Sequence, residues 1–181
     1  MIEMQEETIR HSVDEHGVIE QSTLIASVLD NDAFLQTLGF HNPLAFKKVD
    51  YIKTKGQTVF LIELTDLTTE IKNCLENQLI LDAKPSELMT LLKSAGLNVK
   101  VFSKKLWFEV IEEFKGKFIG SMVCYERLLR LNADSGKVDY KLMIVLKNDT
   151  DPKDFEFLQI NLNRKLRNIT GEIQLLRTQD L

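Results

Sequence analysis

FKKVDYIKTKGQTVFLIELTD, residues Phe46–Asp66, is the stretch on which the fold turns. Two runs rich in Val, Ile, Phe, Tyr and Thr, Phe46–Thr54 and Gln57–Asp66, flank a glycine and predict a β-hairpin. With Lys55 and Gly56 as the two turn residues, Thr54 pairs with Gln57, Asp50 lies opposite Leu61 and Glu63 opposite Lys48. Alternation then puts Lys48, Asp50, Leu61, Glu63 and Thr65 on one face, and Val49, Tyr51, Phe60, Ile62 and Leu64 on the other. Asp50 and Glu63 become diagonal neighbours about 7–8 Å apart at the backbone, near enough for both carboxylates to hold one cation. Residues 59 and 61 are apolar as well, so the second strand is expected to be covered on both sides, as in a sheet layered by helices. A carboxylate in such a strand is costly unless it is paired or bound to a metal.

Working outward, the residues before the hairpin are weakly patterned. Residues 1–17 are polar and predict a loose helix, in which His11 and His16, five apart, fall on different faces and make no two-histidine metal pair. Ile19, Leu24, Ile25 and Val28 recur at helical spacing and predict a helix over Val18–Asp30. Ala33–Leu38 reads as a second short helix ended by Gly39, and His41-Asn42-Pro43 as the turn into the opening strand.

Beyond the hairpin, Leu67–Leu79 and Asp82–Ala95 read as helices, the second opened by Lys84-Pro85-Ser86-Glu87 and stopped by Gly96. Asn98–Phe102 reads as a short strand. Ser103–Leu131 is the longest helical pattern, its apolar stripe running from Trp107 to Leu129. Gly116 and Gly120 lie inside it at about 1 kcal/mol each against alanine. That cost calls for compensation, by close packing or by room for a ligand. Asn132–Lys137 is a turn, Val138–Lys147 a strand, Phe155–Leu166 a helix facing inward through Leu158, Leu162 and Leu166, and Gly171–Arg177 a final strand. The closing strand–helix–strand unit predicts a parallel pair with a right-handed crossover. The expected fold is α/β, a mixed central sheet flanked by helices on both faces.

The 181 residues fit one domain with a substantial core. No window reaches the roughly 20 apolar residues that span a bilayer, and the acidic start, MIEMQEETIR, is unlike a secretory signal. Cys74 and Cys124 are far apart and read as reduced core residues of a cytoplasmic protein rather than a metal site. Charge is uneven: residues 1–40 hold eight acids and one base, whereas residues 41–181 hold 22 bases and 19 acids. The division expected is therefore an acidic, partly helical segment over 1–40 and a single α/β domain over 41–181. The acidic segment either shields a basic groove, binds a partner, or is a solvated appendage.

No glycine-rich phosphate loop, G-x-S-x-G elbow, zinc-spaced Cys/His set or deaminase signature occurs. The order of elements, with Asp50 on the first hairpin strand and Glu63 on the second, resembles the PD-(D/E)XK nuclease superfamily, the restriction-endonuclease-like fold. The resemblance covers about residues 33–177 in element order and, in sequence, only these few positions. It implies Asp50 and Glu63 as ligands of Mg2+ or Mn2+ in an enzyme that cleaves DNA phosphodiester bonds. Two departures stand out: Val49 occupies the usual proline position, and Thr65 replaces the motif lysine. That lysine helps to polarise the attacking water and to stabilise the phosphate, and a threonine hydroxyl supplies no positive charge. Lys117, one turn before Gly120 and Ser121 on the long helix, is one substitute, since members of the family relocate the lysine to a helix. Lys48 is the other. The plainer reading of Lys48 is an ion pair with Glu63, and of Lys117 a solvated helix lysine. Three readings stand: a metal-dependent nuclease using Asp50, Glu63 and Lys117; a catalytically degenerate relative that binds DNA or a protein partner; and an unrelated α/β domain with Asp50 at a strand end in water.

Overall fold

The computed structural model describes residues 2–11, 19–43, 46–65, 73, 74, 76, 77, 79, 80, 83, 87–98 and 108–181. The expected hairpin is present as β3 (Tyr51–Lys55) and β4 (Thr58–Thr65), paired antiparallel from Lys55↔Thr58 to Tyr51↔Ile62. Its turn residues are Gly56 and Gln57, one step later than the Lys55-Gly56 turn expected, and every pairing moves by two positions. The physical reason is the backbone of Gly56, at φ +61°. In a tight hairpin the first turn position takes the positive φ that glycine adopts freely. A slip of two leaves the faces unchanged. One position beyond Tyr51↔Ile62, Asp50 therefore comes level with Glu63 rather than diagonal to it, and Lys48 is not opposite Glu63.

β4 runs parallel to β5 (Asp139–Leu146) over its whole length, and β5 parallel to β6 (Gln174–Arg177), as the strand–helix–strand pattern predicts. The chain between β4 and β5 includes α2 (Glu87–Ser94), which stops short of Gly96, and α3 (Phe108–Leu131). Between β5 and β6 lies α4 (Pro152–Thr170), longer than the Phe155–Leu166 expected. Asp151 caps it, its side chain accepting from the Lys153 amide at 2.8 Å, and Pro152 occupies the first turn where no amide is needed. β4, β5 and β6 succeed one another in one direction, and crossovers of one hand, right-handed by the general rule, put both connections on one side; α3 and α4 accordingly share one core. Asn73, Cys74, Glu76, Asn77 and Leu79 are helical as expected. The remainder of the Leu67–Leu79 helix, the strand residues 99–102 and the helix start at 103–107 lie outside the described residues.

The N-terminal segment departs from expectation. In place of a loose helix and the Val18–Asp30 helix, the chain forms β1 (Glu6–Arg10) and β2 (Gln21–Val28), antiparallel to each other, with β2 antiparallel to β3. Only the short helix appears, as α1 (Asp32–Thr37), capped by Asn31, whose side chain accepts from the Phe34 amide at 3.1 Å. The spacing of Ile19, Leu24, Ile25 and Val28 misleads because Ile25 is 51% exposed while Ser22 and Ala26 are buried, so burial follows a period of two. The result is one six-stranded mixed sheet in the order β1-β2-β3-β4-β5-β6.

The larger core lies on the face shared by α1, α3 and α4. Leu35 and Leu38, Phe114 and Phe118, and Leu158, Leu162 and Leu166 meet Ile52, Leu61, Leu142 and Ile144 there. A smaller cluster on the opposite face gathers Ile9, Ala26, Tyr51, Ile62, Met143 and Val145. β4 and β5 thus bury side chains on both sides, which accounts for their unbroken apolar runs.

Candidate functional site

Glu63 lies near the end of β4 with 2% of its surface exposed, pointing to the α3 side with Leu61. Asp50 stands just ahead of β3 and is held at three points. Its carboxylate Oδ2 accepts from the Leu64 amide at 2.8 Å, next to Glu63. Its own carbonyl accepts from the amides of Leu29 and Asp30 at 2.8 and 3.2 Å. The preceding Val49 amide donates to Ser121 Oγ at 2.8 Å, and that hydroxyl donates to the Lys117 carbonyl at 2.7 Å. α3 therefore fixes the approach to Asp50 with the same turn that carries Lys117.

The glycines of α3 make this possible. A Cβ on Gly120 would lie 2.0 Å from the Lys47 carbonyl oxygen, so only glycine lets the chain entering β3 cross the helix there. At Gly116 the neighbour is the Lys47 side chain, 3.0 Å away at Cδ. Of the two compensations expected for these glycines, the structure shows close packing, against the segment leading into β3.

Lys117 is not a solvated helix lysine. Its ammonium meets Glu63 Oε1 and also lies 3.3 Å from Glu113 Oε1, one turn back on α3. Lys48 does not pair with Glu63: its ammonium lies 2.8 Å from Asp30. The reason is the two-residue shift in pairing, together with the turn of the chain ahead of β3 that places Val49 in the α3-side core. Asp50, Glu63 and Lys117 are thus brought together, and Lys48 is directed elsewhere. Glu113, Ser121 and Asp30 were not singled out in the sequence. Glu113 had a signal, its i,i+4 spacing to Lys117, whereas the other two depend on tertiary contacts.

The electrostatics of the three are coupled. Burial, then the Asp50 charge, push the Glu63 carboxyl up to about 8 against the opposing pull of Lys117. Burial also raises Asp50, opposed by the Leu64 amide and by Lys117. For Lys117 burial acts downward, yet Glu63, Glu113 and Asp50 hold its ammonium above the ordinary lysine value. Two buried carboxyls and one ammonium favour retention of a proton, or uptake of another cation, near neutrality.

Glu63 Oε2 is the atom that tests the fit to a metal. It is buried and has no hydrogen-bond partner among the described residues, a costly state that a cation relieves. The donors are hard carboxylate oxygens, suited to Mg2+ or Mn2+. Among the described residues no group of three or more His, Cys, Asp or Glu side chains is placed to hold a metal. A cation would draw two carboxylates from the protein and its other ligands from water or a substrate, which is how Mg2+ is commonly held. The residues fit on those terms. No described helix is long and apolar enough to cross a membrane. Compared with family models, curated proteins and solved structures, the chain finds no match.

Proposed function

We propose that the domain is a Mg2+- or Mn2+-dependent nuclease-like phosphodiesterase acting on DNA, a member of the PD-(D/E)XK superfamily with its lysine moved to a helix. The observation that carries this reading is the ammonium of Lys117 on Glu63 beside Asp50, with the other Glu63 carboxylate oxygen buried and without a hydrogen-bond partner among the described residues. The position left without a charge by Thr65 is served from α3.

In this reading Asp50 and Glu63 hold the divalent cation, which when bound supplies an acidified water and neutralises phosphate charge. The Leu64 amide keeps Asp50 oriented. Glu63, immobile in a central strand, fixes the second ligand. Lys117 offers its ammonium to the negative charge that develops on the phosphate, a preorganised donor in a partly buried place. The buried thiols of Cys74 and Cys124 support a reducing, cytoplasmic setting.

D50A and E63A are each expected to abolish Mn2+-dependent cleavage of DNA while leaving the circular dichroism spectrum unchanged. Titration calorimetry that detects no Mn2+ binding by the wild-type protein at millimolar concentration would remove the reading. A second reading, a degenerate relative that binds without cutting, is favoured by the closed Lys117–Glu63 pair, which neutralises the site internally. Salt-dependent DNA association with no cleavage in Mg2+ or Mn2+ is its signature, and unaltered DNA mobility at low salt points to a protein partner instead.

A further inference from the structure

Lys117 stands at a fork. Its ammonium bonds Glu63 Oε1 on the sheet and lies 3.3 Å from Glu113 Oε1 on its own helix. The two acceptors differ in freedom: the Glu63 side chain is 3% exposed, that of Glu113 50%. Glu63 is set in the middle of a sheet and cannot move out to meet a new partner. Lys117 can, because its charge rides on a flexible four-carbon stem, and Glu113 at i,i−4 is in the favourable order for pairing along a helix.

We infer that Glu113 is the positioning residue that takes over the Lys117 ammonium when a divalent cation enters between Asp50 and Glu63, so that lysine and cation exchange places on Glu63. This rests on the cation site proposed above. Glu63 Oε2 is buried without a hydrogen-bond partner among the described residues, so the carboxylate has an oxygen to give. Its other oxygen, however, already accepts from the positively charged Lys117 ammonium. A doubly charged ion on the same carboxylate lies a few ångströms from that ammonium, where repulsion in a partly buried place is far stronger than in water. The ammonium retreats to the acceptor it already touches. Lys117 thus has two stations: on Glu63, where it closes the site and satisfies the buried acid, and on Glu113, where it stands at the solvent side of an occupied site.

The test is Mn2+ affinity of the full chain, read by titration calorimetry without DNA, in a double-mutant cycle. Lys117→Met removes the competitor and is expected to tighten Mn2+ binding. Glu113→Gln leaves the lysine on Glu63 and is expected to weaken binding by about three- to tenfold, within the range for residues in direct contact. The double variant is expected to bind as Lys117→Met does, because Glu113 acts only through the lysine. Lys117→Gln repeats that arm if the methionine variant melts early. Equal weakening by Glu113→Gln in both backgrounds would overturn the inference, making Glu113 a ligand or a plain charge. So would looser binding in Lys117→Met. Either result leaves the cation site standing, whereas no Mn2+ binding by the wild type or by Lys117→Met removes site and inference together.

Discussion

Glu63 sits in a central strand beside Asp50 and against Lys117, and burial with the Asp50 charge outweighs the ammonium, so its carboxyl rises from an ordinary 4.5 to about 8. A group whose folded value is raised holds its proton more tightly folded than unfolded. The stability it contributes is full below about 4.5 and is lost as pH climbs through about 8. The metal-free protein is therefore expected to melt at progressively lower temperature between pH 5 and 8, and E63Q, which carries no titrating group there, to flatten that slope in differential scanning calorimetry. A melting temperature that rises over this window would contradict the burial argument. Mn2+ competes with the same proton, so its affinity is expected to increase with pH up to about 8, the raised value of Glu63. At this scale much was legible in the sequence. Asp50 and Glu63 are conspicuous as acids in β-prone runs, and Lys117 stands on the helix best able to reach them. Ser121 was not legible in that role: a serine inside a helix gives no sign that its hydroxyl will join the Val49 amide to the Lys117 carbonyl.

The two glycines of α3, four residues apart, make different demands on the helix. Alanine at 120 gains about 1 kcal/mol in helix propensity but drives a methyl group to 2.0 Å from a backbone carbonyl. The chain before β3 must move, and a net loss of about 1–3 kcal/mol is expected, the usual cost of overpacking. Because that chain carries Asp50, Mn2+ affinity should fall with it. Alanine at 116 meets only the Lys47 side chain, at 3.0 Å, which can swing aside, so G116A is expected to be neutral or stabilising by about 0.5–1 kcal/mol. Thermal melts of the two variants check the contrast, and equal effects would show that Lys47 does not cross α3 at Gly120. Of the hairpin, existence and face were readable from alternation, but not register. Moving the turn from Lys55-Gly56 to Gly56-Gln57 shifts partners by two while keeping the side chains of the paired strands on their sides; only ahead of β3, at Val49, does the chain turn to the α3-side core. That is why the carboxylates still meet.

The described residues 2–11 and 19–40 form an integral edge of the molecule. β1 and β2 extend the sheet, Ile9 and Leu29 are wholly buried, and the Leu29 and Asp30 amides hold the Asp50 carbonyl. Fully burying two such side chains contributes about 3–6 kcal/mol, a large share of the roughly 5–15 kcal/mol of net stability typical of a domain. Removing residues 1–30 is expected to abolish cooperative unfolding and, with it, Mn2+ binding; a truncated chain that melts sharply near the wild-type temperature would refute this. The acidic composition and the helical spacing of Val18–Asp30 concealed these strands. In β2 the buried positions are Ser22 and Ala26, the small residues of the strand rather than its Leu, Ile and Val. The segments after the hairpin were easier to read because β4, β5 and α4 bury long aliphatic runs whose period admits one interpretation.

Ile2 is tied to Asn132 by a reciprocal pair of hydrogen bonds, its amide donating to Oδ1 at 2.8 Å and its carbonyl accepting from Nδ2 at 2.9 Å. Asn132 directly follows α3, fifteen residues beyond Lys117, so the start of the chain is moored roughly 22 Å from the carboxylates along the helix axis. A fluorophore or surface tether attached ahead of Ile2 would therefore hold the protein near the end of α3 remote from Asp50, Glu63 and Lys117, a natural handle for single-molecule measurements that leaves those residues undisturbed.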